Sequence, residues 1–435
     1  MARIAPFAAL RYNAAKAGKL DDLVTQPYDK IGKDLQEKYY ARSQYNICRI
    51  IRSAEAFTNP ETPYPEAAKA FQEWKAQGIL TRDEQPAYYI YYQTFKRGDE
   101  TITRKGFIAS VELEEDHVRA HERTLAGPKA DRLRLLHALE TNDELIFMLY
   151  SDPKQESVKL MDEIADAQKP LLECKDDFGE IHRVWALRDL DAIDKLETLL
   201  KPCDLFIADG HHRYETAVNF KNDCLQAGWK SGGTQGFDHR MMGLFPMEDP
   251  GLVIFPTHRL IKNVDKFSGP RLIASLMGHF EVTPMSSAEA VFAKMDAVHN
   301  DQVFGLKAVG TSDPFYVLQL KDPNIMNDIE ELAGLSEASR NLGVTILHTL
   351  ILHKELGIDA KALEAQTHVE YARTRDKAFE KVGNGGIQAC FLLNPTSVMD
   401  VRKSAAAGER MPQKSTDFYP KLLAGLTMME LDIKK

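Results

Sequence analysis

The stretch "ADGHHRYETA" (residues 208–217) sets an acid, a glycine, two histidines and an arginine in consecutive positions, Asp209, Gly210, His211, His212 and Arg213. It follows the apolar run "CDLFI" and opens a pattern that puts Ala217, Phe220, Cys224 and Leu225 on one helical face. A helix starting at His211 presents unpaired N–H groups and the positive end of its dipole. Gly210 lets a ligand approach the backbone and tolerates unusual dihedrals. Arg213 offers a planar fork for phosphate oxygens, and His211 and His212 add donors. This is the chemistry of an anion site. Two hydrogen bonds to charge and a dipole contribution sum to roughly 3–7 kcal/mol, against about 4 kcal/mol for millimolar affinity. The competing reading is a helix capped by Asp209 with Arg213 paired to it; a cap requires none of the other four residues.

Other polar blocks supply partners. In "HERTLAGPKADRLRLL" (121–136), Glu122 is a candidate general base and Arg123, Lys129 and Arg132 are candidate phosphate cations, with Gly127–Pro128 expected to turn the chain. A solvated helix is the plainer alternative. In "MPQKSTDFYPKL" (411–422), Gln413, Lys414, Ser415 and Thr416 cluster four hydrogen-bonding groups for phosphate, unless Ser415 or Asp417 merely caps a helix. "LRYN", "QPYD" and "THRL" add Arg11, Tyr28, Asp29, His258 and Arg259 as substrate-pocket candidates, Tyr28 to stack on a base and Asp29 to bind an amine or a metal.

"DGHHRYETA" resembles the glycine-x-His-Arg signature of the ParB/sulfiredoxin superfamily, in which this turn binds nucleotide phosphates. His211 stands where sulfiredoxins carry their reactive cysteine, so sulfinic-acid repair is not implied. No DNA-binding helical domain of the ParB kind is evident. "PFAALRYN", "QPYDKI", "YNICRIIR", "HERTLAGPKADRL", "ADGHHRYETA", "FPTHRL" and "MPQKSTDFYPKL" occur in the order of the signatures of the family called domain of unknown function 1015. That family resembles the free-serine kinase branch of the superfamily, whose enzymes move a phosphoryl group from a nucleotide to the hydroxyl of L-serine. The resemblance implies a phosphotransferase using ATP or ADP with Mg²⁺. Glu122 or Asp209 takes the acceptor proton, His212 joins the catalytic group, and cations neutralise the phosphoryl group. The same site with water as acceptor is a phosphatase or nucleotidase; without turnover it is a nucleotide sensor. Serving one reaction, Glu122, His212 and Lys414 must surround one cleft, their side-chain ends within roughly 12 Å.

These residues need a scaffold. "AYYIYYQTF" and "ITRKGFIASVEL" around "RGDET" predict a hairpin; "ELIFMLYSD", "EIHRVWALRD", "CDLFIADG", "GLVIFPTHRL", "VFGLKAVG", "FYVLQLK" and "IQACFLLN" predict strands. Helices are expected over 65–80, 213–228, 288–298, 344–356 and 398–407, among others. Hairpins mixed with helices indicate α+β with a mixed sheet and a ParB/sulfiredoxin-like core plus additional α/β elements, rather than a doubly wound fold. The expected regions are 1–104, a core at 105–240 and 241–435, with a seam near the glycines of 230–250. The 435 residues carry a net charge of −9, which disfavours nucleic acid. The five scattered cysteines fit a reducing cytoplasm, and the apolar run 342–352 is too short to span a membrane. Nucleotide and a small molecule are the expected partners.

Overall fold

The tyrosine-rich run Tyr88–Arg97 (β2) and Glu100–Glu112 (β3) form the predicted hairpin, paired from Arg97↔Glu100 to Tyr89↔Ile108. Their aromatic and β-branched residues suit a pleated surface covered on both sides. The chain is described here from a computed structural model, over residues 2–53, 64–114, 116–120, 126–298, 302–412 and 414–435. Glu122, Arg123 and Gln413 lie outside the described residues. The described residues fall into two compact units: those within 2–120, 126–253 and 420–435 make the first, those within 254–419 the second.

In the first unit, the hairpin is the middle of a nine-stranded sheet. Its other strands are Ile4–Ala5 (β1), Val118–Arg119 (β4), Ile146–Tyr150 (β5), Leu172–Lys175 (β6), Ile181–Leu187 (β7), Leu205–Asp209 (β8) and His239–Pro246 (β9). The order is β4-β8-β5-β9-β3-β2-β7-β6, with β1 on β3. β8 runs parallel to β4 and antiparallel to β5, and β9 runs parallel to β5, so the sheet is mixed. One face buries Tyr88, Ile90, Tyr92, Met148 and Met242 against Met161, Leu196 and Ala217 of flanking helices. A second core gathers Tyr12, Leu23, Tyr28, Trp74 and Leu135 around Ala424 and Met428 from the C-terminal segment.

The second unit contains a six-stranded antiparallel sheet, in the order Phe280–Met285, Phe315–Leu320, Val303–Ala308, Ile387–Leu393, His258–Lys262, Val369–Ala372. Helix Ala288–Val298 packs Val291 and Met295 into its core.

Several expectations need correcting. Gly127–Pro128 does not turn the chain but lies in the first turn of helix Ala126–Leu139 (α1), where a missing N–H costs no helical bond. "GLVIFPTHRL" is two strands, Val253–Phe255 and His258–Lys262, interrupted beside Pro256. Residues 343–355 form an α turn running into a π-helix. Asp417–Tyr419 is a strand rather than a helix start, its aromatic residues confined between Pro412 and Pro420. Position 104/105 falls inside β3, so 1–104 and 105–240 share one sheet, and the seam between units falls after Val253. Among the described residues no helix is long and apolar enough to cross a membrane.

Candidate functional site

Strand β8 ends at Asp209, and helix His211–Gln226 (α2) starts two residues later. Gly210 joins them at φ +96°, a left-handed conformation that L side chains rarely adopt. A Cβ on Gly210 would also stand 3.1 Å from Arg213 Nε. The glycine therefore makes the turn and admits the guanidinium folded back over it. Arg213 is buried; its Nη2 donates to Asp209 Oδ2 at 2.7 Å and its Nη1 donates to the Leu145 carbonyl.

The other oxygen of Asp209 is taken from far along the chain. Lys421, also buried, donates to Asp209 Oδ1 at 2.7 Å. A buried pair holds the segment that carries it: Gln93 Nε2 donates to the Lys421 carbonyl at 2.9 Å, and Arg104 Nη2 donates to the Pro420 carbonyl at 2.5 Å. Arg104 itself binds Gln93 Oε1 and lies over the rings of Phe147 and Phe245. Burial acts to raise the Asp209 carboxyl, but Lys421, Arg213 and Lys30 outweigh it and hold the group well below the usual carboxylate range. Asp209 is thus a persistent anion with both oxygens engaged.

Behind the turn, burial raises the Glu144 carboxyl against the opposing pull of Arg213. Glu144 Oε1 accepts from the Tyr28 N–H at 2.9 Å, and its Oε2 has no hydrogen-bond partner. Arg240 donates to the Glu144 carbonyl at 2.9 Å, and burial lowers its guanidinium to about 10. Arg132, Arg213, Arg240, Asp143, Glu144 and Thr216 line a cavity of about 10 Å³ with Leu135 and Leu136; that is room for about one water. Exposed Asp29 and half-buried Lys30 belong to the same field, since Asp29 acts on Arg213 and Lys30 on Asp209.

The sequence-derived candidates divide. Asp209, Gly210, Arg213, Tyr28 and Asp29 fall into this neighbourhood of the first unit, with buried His211 and half-buried His212 opening α2. Lys129 pairs with Glu215 at 2.7 Å. Arg132 lies 4.2 Å over the Tyr28 ring and spends its donors on the Ile51 carbonyl, the Tyr64 hydroxyl and Asp131. Arg11 is tied to Asp83, whose carboxylate also accepts from Tyr89. Lys414, Ser415, Thr416, His258 and Arg259 belong to the second unit. There Arg259 donates to the carbonyls of Thr257 and Lys414. The Ser415 hydroxyl donates to the Pro412 carbonyl at 2.5 Å, and Thr416 is half-buried. His258 is fully buried, accepts from the Leu393 N–H, and is pushed down to about 3 by burial and then by Arg375 and Arg259. Lys421, Glu144, Arg240 and Arg104 were not candidates from sequence. Lys421 had a signal, a lone lysine in the apolar run "FYPKLLAGL".

No curated protein sequence matches the chain. Among solved structures it is similar to a conserved hypothetical protein from Pyrococcus furiosus, with 13% identity and a TM-score of 0.34 over 72% of this chain and 90% of that one. It is similar to a free serine kinase in complex with AMP, with 12% identity and a TM-score of 0.37 over 75% of this chain and 91% of that one. C-terminally truncated SbnI from Staphylococcus aureus gives 10% identity and 0.31 over 73% and 85%. The model for the family described as Protein of unknown function (DUF1015) matches residues 4–341, and the chain belongs to that family.

Proposed function

We propose that the protein transfers a phosphoryl group from ATP or ADP to the hydroxyl of a small molecule, L-serine being the acceptor that the sequence resemblance suggests. One observation carries the reading: two buried cations, Lys421 and Arg213, meet on one ionised carboxylate where a strand turns through Gly210 into a helix. The start of helix α2 places the positive end of its dipole at this turn, a setting that favours a phosphate, and Lys421 adds a compact positive charge. Phosphoryl transfer asks mostly for positioning and charge neutralisation, which such a turn supplies.

In this reading Asp209 is not the base. A carboxylate held ionised by two cations takes up a proton poorly, so its role is to orient Lys421 and Arg213. The hydroxyl oxygen attacks phosphorus, the bond to the nucleotide's bridging oxygen breaks, and the hydroxyl proton passes to a carboxylate. Asp29, exposed within the field of Arg213, is the described candidate, with Glu122 the alternative. Mg²⁺ prefers oxygen ligands and arrives with the nucleotide phosphates.

A second reading is a nucleotide sensor without turnover, favoured by the fact that Asp209 already engages both cations. Incubating the full chain with ATP or ADP, Mg²⁺ and a pool of amino acids, with products read by mass spectrometry, separates the readings. A phosphorylated amino acid that disappears in Asp29→Asn or Glu122→Gln is expected. Free phosphate alone would mean hydrolysis, and intact nucleotide would mean a sensor.

A further inference from the structure

Outside this turn, the hairpin between β6 and β7 gathers Asp176, Glu180 and His182, whose ligand-capable atoms all lie within 4.8 Å of one another. Solvated acidic clusters are common and mean little. This one is different: the side chains of Asp176 and His182 are 2% and 0% exposed, and Glu180 is buried. The hairpin is built to hold them. The Asp176 N–H donates to the Glu180 carbonyl, while Asp176 Oδ1 accepts from the N–H groups of Phe178 and Glu180 at 2.9 and 3.0 Å. Gln26, beside the Pro27–Asp29 segment, donates to Asp176 Oδ2 at 3.0 Å.

The second observation is His182 Nε2. It is buried, has no hydrogen-bond partner and stands 3.6 Å from Asp176 Oδ2. That is too long for a hydrogen bond. It is close to the roughly 3.4 Å that separates two ligands of a tetrahedral ion bound at about 2.1 Å. The other ring nitrogen, Nδ1, is 2.7 Å from the Tyr91 hydroxyl. With the Nδ1 proton donated to Tyr91, the Nε2 lone pair faces two carboxylates, an arrangement that a cation completes. With the proton on Nε2 instead, the nearest Asp176 oxygen, Oδ2, stands 3.6 Å away, beyond a good hydrogen bond. A hydrogen bond to the second nitrogen is the usual support of a ligating histidine. Arg104 is the neighbouring cation that opposes charge here, and it is anchored on Gln93 and the Pro420 carbonyl.

We propose that Asp176, Glu180 and His182 bind a divalent transition-metal ion of the zinc class. One imidazole with two carboxylates suits such an ion better than Mg²⁺ or Ca²⁺, which favour all-oxygen sites. The ion would lock the hairpin to Gln26 and, through Tyr91, Gln93 and Arg104, to the strands that hold the Lys421 segment. Its binding needs neither nucleotide nor phosphoryl transfer.

The test is calorimetric titration of chelator-stripped full-length protein with Zn²⁺ in excess Mg²⁺, with thermal unfolding in parallel. One saturable equivalent and a raised Tm are expected. Asp176→Asn and His182→Gln should each weaken binding at least about tenfold while keeping the wild-type circular dichroism. No saturable binding, or binding unchanged in both folded variants, overturns the proposal. Should the variants not fold, zinc-edge X-ray absorption of the wild-type complex decides. A nitrogen and oxygen shell supports the site. A sulfur shell overturns it, for Cys174 lies opposite His182 in the β6–β7 register.

Discussion

Lys421 and Arg213 share one carboxylate, and the division of labour among them is testable by charge. Lys421→Met keeps the aliphatic stem and removes the ammonium. It should weaken ATP or ADP binding by about 1.5–3 kcal/mol, the contribution of one hydrogen bond to a charged group; calorimetric titration reads it, and unchanged affinity in a folded variant removes Lys421 from the site. Asp209 makes a pH prediction. Its folded carboxyl is held below its unfolded value, near 3.9, so the stability it contributes is present above that value and is lost as pH falls toward the folded one. The gap in unfolding free energy between wild type and Asp209→Asn should be full at pH 7 and 5 and should shrink at pH 3.5 and below. A gap that persists undiminished at the lowest pH would mean that Asp209 is not held by its cations.

At the scale of elements, the strand–glycine–helix turn is a geometric device. Gly210 supplies a left-handed residue between β8 and α2, and the space its missing Cβ leaves is occupied by the Arg213 guanidinium. Gly210→Ala combines strain with a tight contact, 3.1 Å from the buried Arg213 guanidinium, which must give by a few tenths of an ångström. A non-glycine residue in such a conformation costs about 1–3 kcal/mol, and the variant's Tm should fall accordingly. Nucleotide affinity should fall with it, because Arg213 must move. A variant with wild-type Tm and affinity would show that the turn tolerates a side chain.

At the scale of the molecule, the C-terminal segment 420–435 is part of the first unit. Met429–Glu430 pairs with Thr141–Asn142, and Ile433–Lys434 pairs with Lys230–Ser231. Ala424 and Met428 enter the core built around Tyr12 and Trp74. A fragment ending at residue 253 therefore lacks both Lys421 and part of that core. It should unfold without a sharp transition, whereas 1–253 joined by a flexible linker to 420–435 should regain one. Equal cooperativity in the two fragments, measured by calorimetry, would show the segment to be dispensable.

Local chemistry was legible in the sequence because it is written in neighbours. The hairpin 88–112, the strand before Asp209, the helix after Gly210 and the family's ordered motifs all depend on residues a few positions apart. The same locality misled at Gly127–Pro128, where a pair that often turns a chain opens a helix instead. Periodicity could not reveal which distant groups meet. Lys421 reaches Asp209 across 212 positions because Gln93 and Arg104 hold its backbone. Arg132 is spent on Ile51, Tyr64 and Asp131 because α1 packs it inward. Pairing of buried charges is decided by burial and by three-dimensional packing, since a desolvated cation must find an acceptor wherever the fold brings one. Short-range pattern and motif order were enough for the family, the mixed α+β class and the strand–glycine–helix turn. The tertiary structure decided which cations stand at that turn, which carboxylate orients them, and that Asp176, Glu180 and His182 come together in a buried hairpin.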